Sequence, residues 1–385
     1  MSEATAQVTL DPERQQQARV YARLQRRLEI IDMLFGGVYA AAWLIFGWGS
    51  ALAASLARVS ASPWLRVPLF ALVFGAIYFV IDLPLSIYSS YTLPHRFGQS
   101  NQTLGGWVSD QLKGMAISLP LGLVLLELIY YLLRVDPQTW WLWVAGVLLV
   151  FQVLLANLAP VIIMPLFNKY VPLGEEHADL AARLIRLAER ANTKVQGVYQ
   201  FDMSRRTKSA NAALTGLGNT RRIILGDTLI TEFSPDEIET VLAHELGHQV
   251  HRDIPVGIAI QTGITLVGLF LVSLALNAGV SAFQLAGPAD PASLPLLILG
   301  LGLYGLITMP LTNAYSRWRE RRADQYALEA TGNGLAFAAA LTRLANQNLA
   351  EADPEGWVEF LFYSHPALSK RIAMAEQSAN PNGQS

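Results

Sequence analysis

Two histidines four residues apart, with a glutamate directly after the first, stand in "AHELGHQVHR" at 243–252. On a helix, residues four apart lie one turn up the same face, so His244 and His248 can present two imidazole nitrogens to one ion about 2.0–2.1 Å away. Glu245 is rotated about 100° from His244, which suits it to reach a water beside the ion rather than the ion itself. That is the arrangement of a zinc hydrolase with glutamate as general base. His251 shares the face but lies two turns from His244, too far for the same ion, and reads as a wall or surface residue. The competing reading is a chance match on a solvated helix, which is rare in a chain with six histidines.

A catalytic zinc of this class needs a third protein ligand and an open position for water. The chain has no cysteine, so the ligand must be His, Asp or Glu, and disulfides, iron–sulfur clusters and thiol nucleophiles are excluded. "SRWRERRADQYAL" (316–328) offers Glu320 and Asp324, four apart on one helical face. They fit a ligand carboxylate and a neighbour that orients a ligating histidine. The same letters also suit a solvated helix laced by Glu–Arg pairs.

The elements that would position these residues are mostly apolar. Of 385 residues 52% are hydrophobic and only 15% charged, against about 25% charged in soluble proteins, and the mean hydropathy is +0.32. A net charge of −2 and the lack of a basic stripe exclude a nucleic-acid partner. Six stretches, 33–57, 66–90, 114–134, 138–163, 254–280 and 293–316, reach the roughly 20 apolar residues that span a bilayer. The last two predict an antiparallel hairpin, which brings His248, before one, beside Glu320, after the other. "ALAAS" (51–55) resembles a signal-peptidase site, but the long polar leader before the first span argues for a retained signal anchor.

Lys and Arg set the orientation. The leader carries Arg14, Arg19, Arg23, Arg26 and Arg27, the segment 165–253 is rich in both, and Arg317, Arg319, Arg321 and Arg322 follow the last span; the loop 281–292 has neither. Both termini and the polar segments are therefore expected in the cytoplasm. The expected organisation is an amphipathic leader at 1–32 lying on the membrane surface, four spans within 33–164, a catalytic segment at 165–253, a transmembrane hairpin at 254–316, and a segment at 317–385 that completes the metal site. The fold class is mainly α: a polytopic helical membrane protein whose cytoplasmic part contains a small β-hairpin or sheet.

Within the polar part, 177–192 has helical spacing and 194–202 alternates as a strand does. "SANAALTG" and "RRIILGDTLI", joined by the turn letters "LGNT", read as a hairpin ending in a short helix. "SPDEIETVLAHELGHQVHR" opens with Ser234 at the cap, Pro235 at the first helical position and Glu237 three residues on, a capping box. The motif that holds His244 is therefore expected on a helix. "WWLW" (140–143) reads as an interfacial aromatic belt, and the tail "SANPNGQS" as disordered.

"AHELGH", "SRWRERRAD", "PLFNKYVPL" (165–173), "SANAALTGLGNTRRIILGDTLI" (209–230) and "YSHPALSKRI" (363–372) follow one another in the order and spacing of the type I CAAX prenyl proteases. The segment 83–113 is similar to the loop after an early span of that family. The resemblance covers roughly 30–375. It implies an integral-membrane zinc metalloendopeptidase of the glutamate-zinc kind, holding one zinc ion on His244, His248 and Glu320, with Glu245 as general base and Asp324 as the acidic neighbour. It further implies that Asn211 grips the substrate backbone at an edge strand, with Ala212 and Ala213 beside it. His365 and Arg371 would steady the tetrahedral oxyanion or hold the site together; the spacing alone leaves His365 a plausible helix cap. The family also implies a helical bundle enclosing a water-filled chamber with the zinc at its cytoplasmic end.

The chain departs from that pattern at Ala212, Ala213 and Leu214, where the family usually has aromatics, and it lacks the extra leading span and the insertion of eukaryotic members. The expected partners are a peptide or protein substrate, prenylated or simply membrane-associated, and the lipid bilayer. The compact form fits a bacterial inner membrane better than the endoplasmic reticulum. One alternative is a heat-shock-type quality-control protease indifferent to prenylation, which shares the H-E-x-x-H and "SR…E…AD" helices but lacks counterparts to 83–113 and 165–173. The other is a non-enzymatic scaffold or transporter; transporters place ionisable groups at mid-membrane, and these spans hold very few, Asp82 and Glu127 being the visible ones.

Overall fold

The computed structural model describes residues 8–216 and 220–380. Fifteen α-helices and four short strands run in the order α1 (Pro12–Ile45), α2 (Trp48–Val59), α3 (Pro63–Ile87), α4 (Leu93–Arg96), α5 (Leu104–Val135), α6 (Trp140–Leu158), α7 (Met164–Phe167), β1 (Tyr170–Pro172), α8 (Ala178–Arg190), β2 (Val198–Phe201), β3 (Ala212–Thr215), β4 (Arg222–Gly226), α9 (Asp227–Glu232), α10 (Pro235–Val250), α11 (Asp253–Ala282), α12 (Leu294–Thr331), α13 (Gly334–Gln347), α14 (Gly356–Phe362) and α15 (Leu368–Ala379). Six helical stretches are long and apolar enough to cross a membrane: Pro12–Ile45, Pro63–Arg96, Leu104–Val135, Trp140–Phe167, Asp253–Ala282 and Pro291–Thr331. Their outward side chains, Val80, Val124, Leu303 and Ile307 among them, are exposed. Water would penalise that surface and hydrocarbon does not, so the protein is a multi-pass membrane protein.

The first span differs from the expectation. Composition separates the polar leader 1–32 from the apolar stretch 33–57, yet Pro12–Ile45 is one helix, capped by Asp11 accepting from the Arg14 N–H. It stops because Gly47 takes a left-handed φ of +66°, and 48–59 forms a second, shorter helix. One face of the leader is covered by the protein itself: Ala18 and Tyr21 pack with Leu93 and Leu349 in a small core. The aromatic belt also needs correction, because Trp140 is fully buried and, of the three tryptophans in "WWLW", only Trp143 is well exposed.

Two larger cores hold the molecule. Among the spans, Tyr39, Trp43, Phe70, Phe74, Tyr130, Trp140, Leu269 and Leu276 interlock. In the polar part, Leu184 and Leu187 of α8, Ile223 and Leu225 of β4, Leu242 and Leu246 of α10 and Phe337 and Leu341 of α13 form the second. The strands make one sheet in the order β1-β2-β4-β3. β2 and β4 run parallel, while β1 and β3 add antiparallel at the two edges. The expected hairpin is β3 with β4, running directly into α9; of the turn letters "LGNT", 217–219 lie outside the described residues, as do 381–385 of the tail.

Candidate active site

α10 begins as its letters predict: Ser234 accepts from the Glu237 N–H, Glu237 accepts from the Ser234 N–H, and Pro235 takes the first turn. The helix buries Leu242, Ala243 and Leu246 against the core and carries His244, Glu245 and His248 towards α12. It can approach α12 that closely because residue 247 is glycine, as a Cβ there would stand 2.9 Å from the Ala323 Cα. Topology does the rest: α11 leaves and α12 returns as adjacent antiparallel spans, so Glu320 meets the histidines across the gap in sequence.

The three groups converge. His244 Nε2 lies 3.2 Å from His248 Nε2 and 3.2 Å from Glu320 Oε2, and His248 Nε2 lies 3.4 Å from Glu320 Oε1. Four ligands placed tetrahedrally at about 2.0–2.1 Å from a zinc ion are separated by about 3.3 Å, so these three edges are the right size for one ion. The hydrogen-bond chemistry agrees. His244 Nδ1 is 2.8 Å from Asp324 Oδ1, and His248 Nδ1 is 2.8 Å from Asp253 Oδ2. Each ring therefore donates Nδ1–H to a carboxylate, which leaves both Nε2 lone pairs facing one another. Glu320 Oε2 is buried without a hydrogen-bond partner. Three acceptors turned on one another at this distance are unfavourable unless a cation sits between them.

Electrostatics point the same way. Burial pushes the His244 imidazole down, but the carboxylates of Asp324 and Glu320 beside it outweigh burial and carry its pKa up to about 9. The pocket thus draws positive charge to this ring, whether a proton or a metal ion. His248 is lowered by burial and by the charge on His244. Burial pushes the Glu245 carboxyl up, while His244 and His248 pull it back, which moves it towards the range useful to a base at neutral pH. Arg371 clamps Asp324 from below with a two-pronged guanidinium, Nε to Oδ2 at 2.8 Å and Nη2 to Oδ1 at 2.6 Å.

His244, Glu245, Asn211, His365 and Arg371 line a common cavity of about 860 Å³, while His248 and Glu320 lie behind it. A second cavity of about 310 Å³ runs towards the spans, and Gln25 and Ser90 line both. His365 opens onto the larger cavity with its Nε2 3.4 Å from Glu320 Oε1. Partial enclosure holds its pKa below the ordinary histidine value, opposed by Glu320 and reinforced by Arg371. Asn211 is exposed at the start of the edge strand, with its carbonyl accepting from the Gly226 N–H. By the alternation of an antiparallel ladder, the main-chain N–H and C=O of Ala212 and Leu214 then point to the free edge. The Ala212 side chain is buried in the core and Ala213 is half-buried; neither lines the cavity.

The sequence reading missed Asp253, five residues beyond His248 at the break between α10 and α11. It also missed Arg319, which pairs with Asp253 and donates to the His251 carbonyl. The signal was available: an acidic residue just past the metal-motif helix and an arginine beside Glu320. The reading missed Arg317 too, which donates to the carbonyls of Glu359, Phe360 and Tyr363 and so ties the end of α14 to the helix bearing Glu320. His251 is the C-cap of α10, with its ring edge-on to Tyr326.

Comparison with known proteins adds independent findings. Residues 3–169 match the family model for the CAAX prenyl protease N-terminal region, described as five membrane helices, and residues 175–379 match peptidase family M48. Within that first range the structure has four candidate spans, built on α1, α3, α5 and α6, while the 12-residue α2 is too short to cross a bilayer. A Bacillus subtilis (strain 168) protein, "Uncharacterized metalloprotease YhfN", is 33% identical over 81% of this chain and 73% of its own length. The Saccharomyces cerevisiae CAAX prenyl protease 1 is 31% identical over 76% of this chain and 68% of its own. The crystal structure of S. mikatae Ste24p superposes with a TM-score of 0.83 at 25% identity, covering 97% of this chain and 93% of that one.

Proposed function

This chain belongs to peptidase family M48, with the N-terminal region of the CAAX prenyl proteases, and is a membrane metalloendopeptidase; on that premise we propose that His244, His248 and Glu320 hold one zinc ion and Glu245 is the general base. The observation that carries the assignment is the convergence of the two Nε2 atoms, 3.2 Å apart, with the Glu320 carboxylate, one oxygen 3.2 Å from His244 and the other 3.4 Å from His248, while carboxylates pin both outer ring nitrogens.

A bound zinc ion supplies Lewis-acid activation of a water molecule and of the scissile carbonyl. Glu245 takes a proton from the attacking water on a carboxylate oxygen and passes it to the leaving amine nitrogen. Asp324 and Asp253 keep His244 and His248 in the tautomer that offers Nε2. His365, at the cavity wall, donates to the developing oxyanion. Arg371 holds Asp324 in place, its guanidinium being committed there. An extended peptide adds to the free edge of β3 beside Asn211, gripped through the main chain of Ala212 and Leu214.

The substrate is a peptide or protein held at the membrane, cut on the cytoplasmic side where the basic loops place the cavity and both termini. The Bacillus relative, a metalloprotease by name, supports a bacterial membrane protease; the yeast relative, a CAAX prenyl protease by name, supports a prenylated substrate. The deciding experiment maps cleavage by mass spectrometry of one peptide with and without a farnesylated cysteine, using the native chain and Glu245→Gln. Native cutting of both forms, lost in the variant, supports the general protease. Native cutting of the farnesylated form alone makes it a prenyl protease. Equal cutting by both proteins refutes Glu245 as base.

A further inference from the structure

The leader half of α1 forms a wall of the catalytic cavity. Tyr21, Ala22 and Gln25 line that cavity together with His244, Glu245 and His365. Gln15, Ala18, Ala22 and Arg26 recur at helical spacing on the side that meets 345–363. Gln15 bonds the main chain of Ala350 and Ala352. Arg26 Nη1 lies 2.8 Å from Glu351 Oε2 and 3.2 Å from the Tyr363 hydroxyl, which itself donates to the same Glu351 oxygen at 3.0 Å.

This closed network sits two residues before His365. The Arg26 and Glu351 side chains are only 17% and 9% exposed, so the ion pair is shielded from solvent screening. Burial and Glu351 push the Tyr363 hydroxyl up to about 12, which keeps it a donor. Two further contacts hold the main chain of the same turn, Arg317 on the Tyr363 carbonyl at 2.6 Å and Glu359 on the Ala367 N–H at 3.1 Å. Those contacts come from α12 and α14. From the first span, it is Arg26 that hydrogen-bonds to the turn, at Tyr363.

We infer that Arg26 is a positioning residue for the proteolytic reaction, holding Glu351 and Tyr363 so that the following turn presents His365 to the cavity. The inference rests on the role proposed for His365 and extends it by a structural link from the first span to the catalytic turn. Arg26 touches no reacting atom; its effect passes through Tyr363.

The test uses the full chain in detergent, with the farnesylated and unmodified peptides as probes and zinc content measured alongside. Arg26→Ala is expected to lower kcat about tenfold with KM and zinc content near native, because a small misplacement of a transition-state group costs rate rather than binding. Arg26→Lys, which keeps the charge on Glu351, should recover part of that loss. In a His365→Ala background, adding Arg26→Ala should cost less than about a further twofold, since residues acting through one contact are not additive. Tyr363→Phe removes a single hydroxyl and should reproduce the fall even if Arg26→Ala folds poorly. A native kcat in Tyr363→Phe, or a full Arg26 effect on top of His365→Ala, overturns the inference while leaving the protease reading intact. A native kcat in His365→Ala removes the role of His365 and the inference with it. Undiminished cleavage by Glu245→Gln would instead undo the proteolytic reading.

Discussion

Gly247 of α10 lies against Ala323 of α12 so closely that a Cβ at 247 would be 2.9 Å from the Ala323 Cα and 3.1 Å from its carbonyl oxygen. Both obstacles are main chain and neither can rotate away. The glycine of "HELGH" therefore sets the separation of the two helices that bring His244 and His248 to Glu320 and Asp324. Gly247→Ala should cost about 1–3 kcal/mol by overpacking and push the helices apart at the metal site. Zinc content and thermal stability, measured together, should both fall. A variant with native zinc content would show that the helices tolerate the separation.

Asp253 accepts from His248 Nδ1 at 2.8 Å and is itself paired with Arg319. Partners of this kind fix ligand orientation, and their loss typically weakens metal binding about 10–100-fold. Asp253→Ala should show that loss in a chelator competition. Asp253→Asn, which retains an acceptor oxygen, should fall between the variant and the native chain. Equal affinity in all three would exclude a role for Asp253.

Asp324 is wholly buried and Arg371 nearly so. Deleting one member of such a pair leaves an uncompensated charge and costs about 3–5 kcal/mol. Arg371→Ala is expected to lower the unfolding temperature and free Asp324 from its two-pronged clamp. Arg371→Lys restores the charge without the fork and should recover only part. Thermal unfolding of the detergent-solubilised proteins decides it.

Glu359 accepts from Lys370 and from the Ala367 N–H. Burial raises its pKa, but these partners overcome burial and hold it below the ordinary value of 4.5. With the folded value depressed, its contribution is fully present above about pH 4.5 and is lost as the pH falls through the lower folded value. Amides of the 363–368 turn should exchange faster with solvent at that acidic end, and Glu359→Gln should flatten the dependence. Unchanged protection down to the lower limit would contradict the assignment.

Residues close in sequence were legible because their chemistry is local. The H-E-x-x-H spacing, the Ser234–Pro235–Glu237 start of α10, the hairpin around Asn211 and the apolar spans each follow from helix period, turn letters or membrane thickness. The sequence by itself thus determined the class of protein and placed His244, Glu245 and His248 on one helix. It could nominate Glu320 and Asp324 only through the spans between, and it did not foresee where the first long helix ends, because apolar letters continue past Gly47, whose left-handed backbone stops the helix. Only the tertiary structure decided that Asp253 meets His248, that Arg371 holds Asp324 and that Arg26 reaches Tyr363. Those contacts join residues from different helices, and their energies depend on burial and on a few tenths of an ångström of packing that no local pattern encodes.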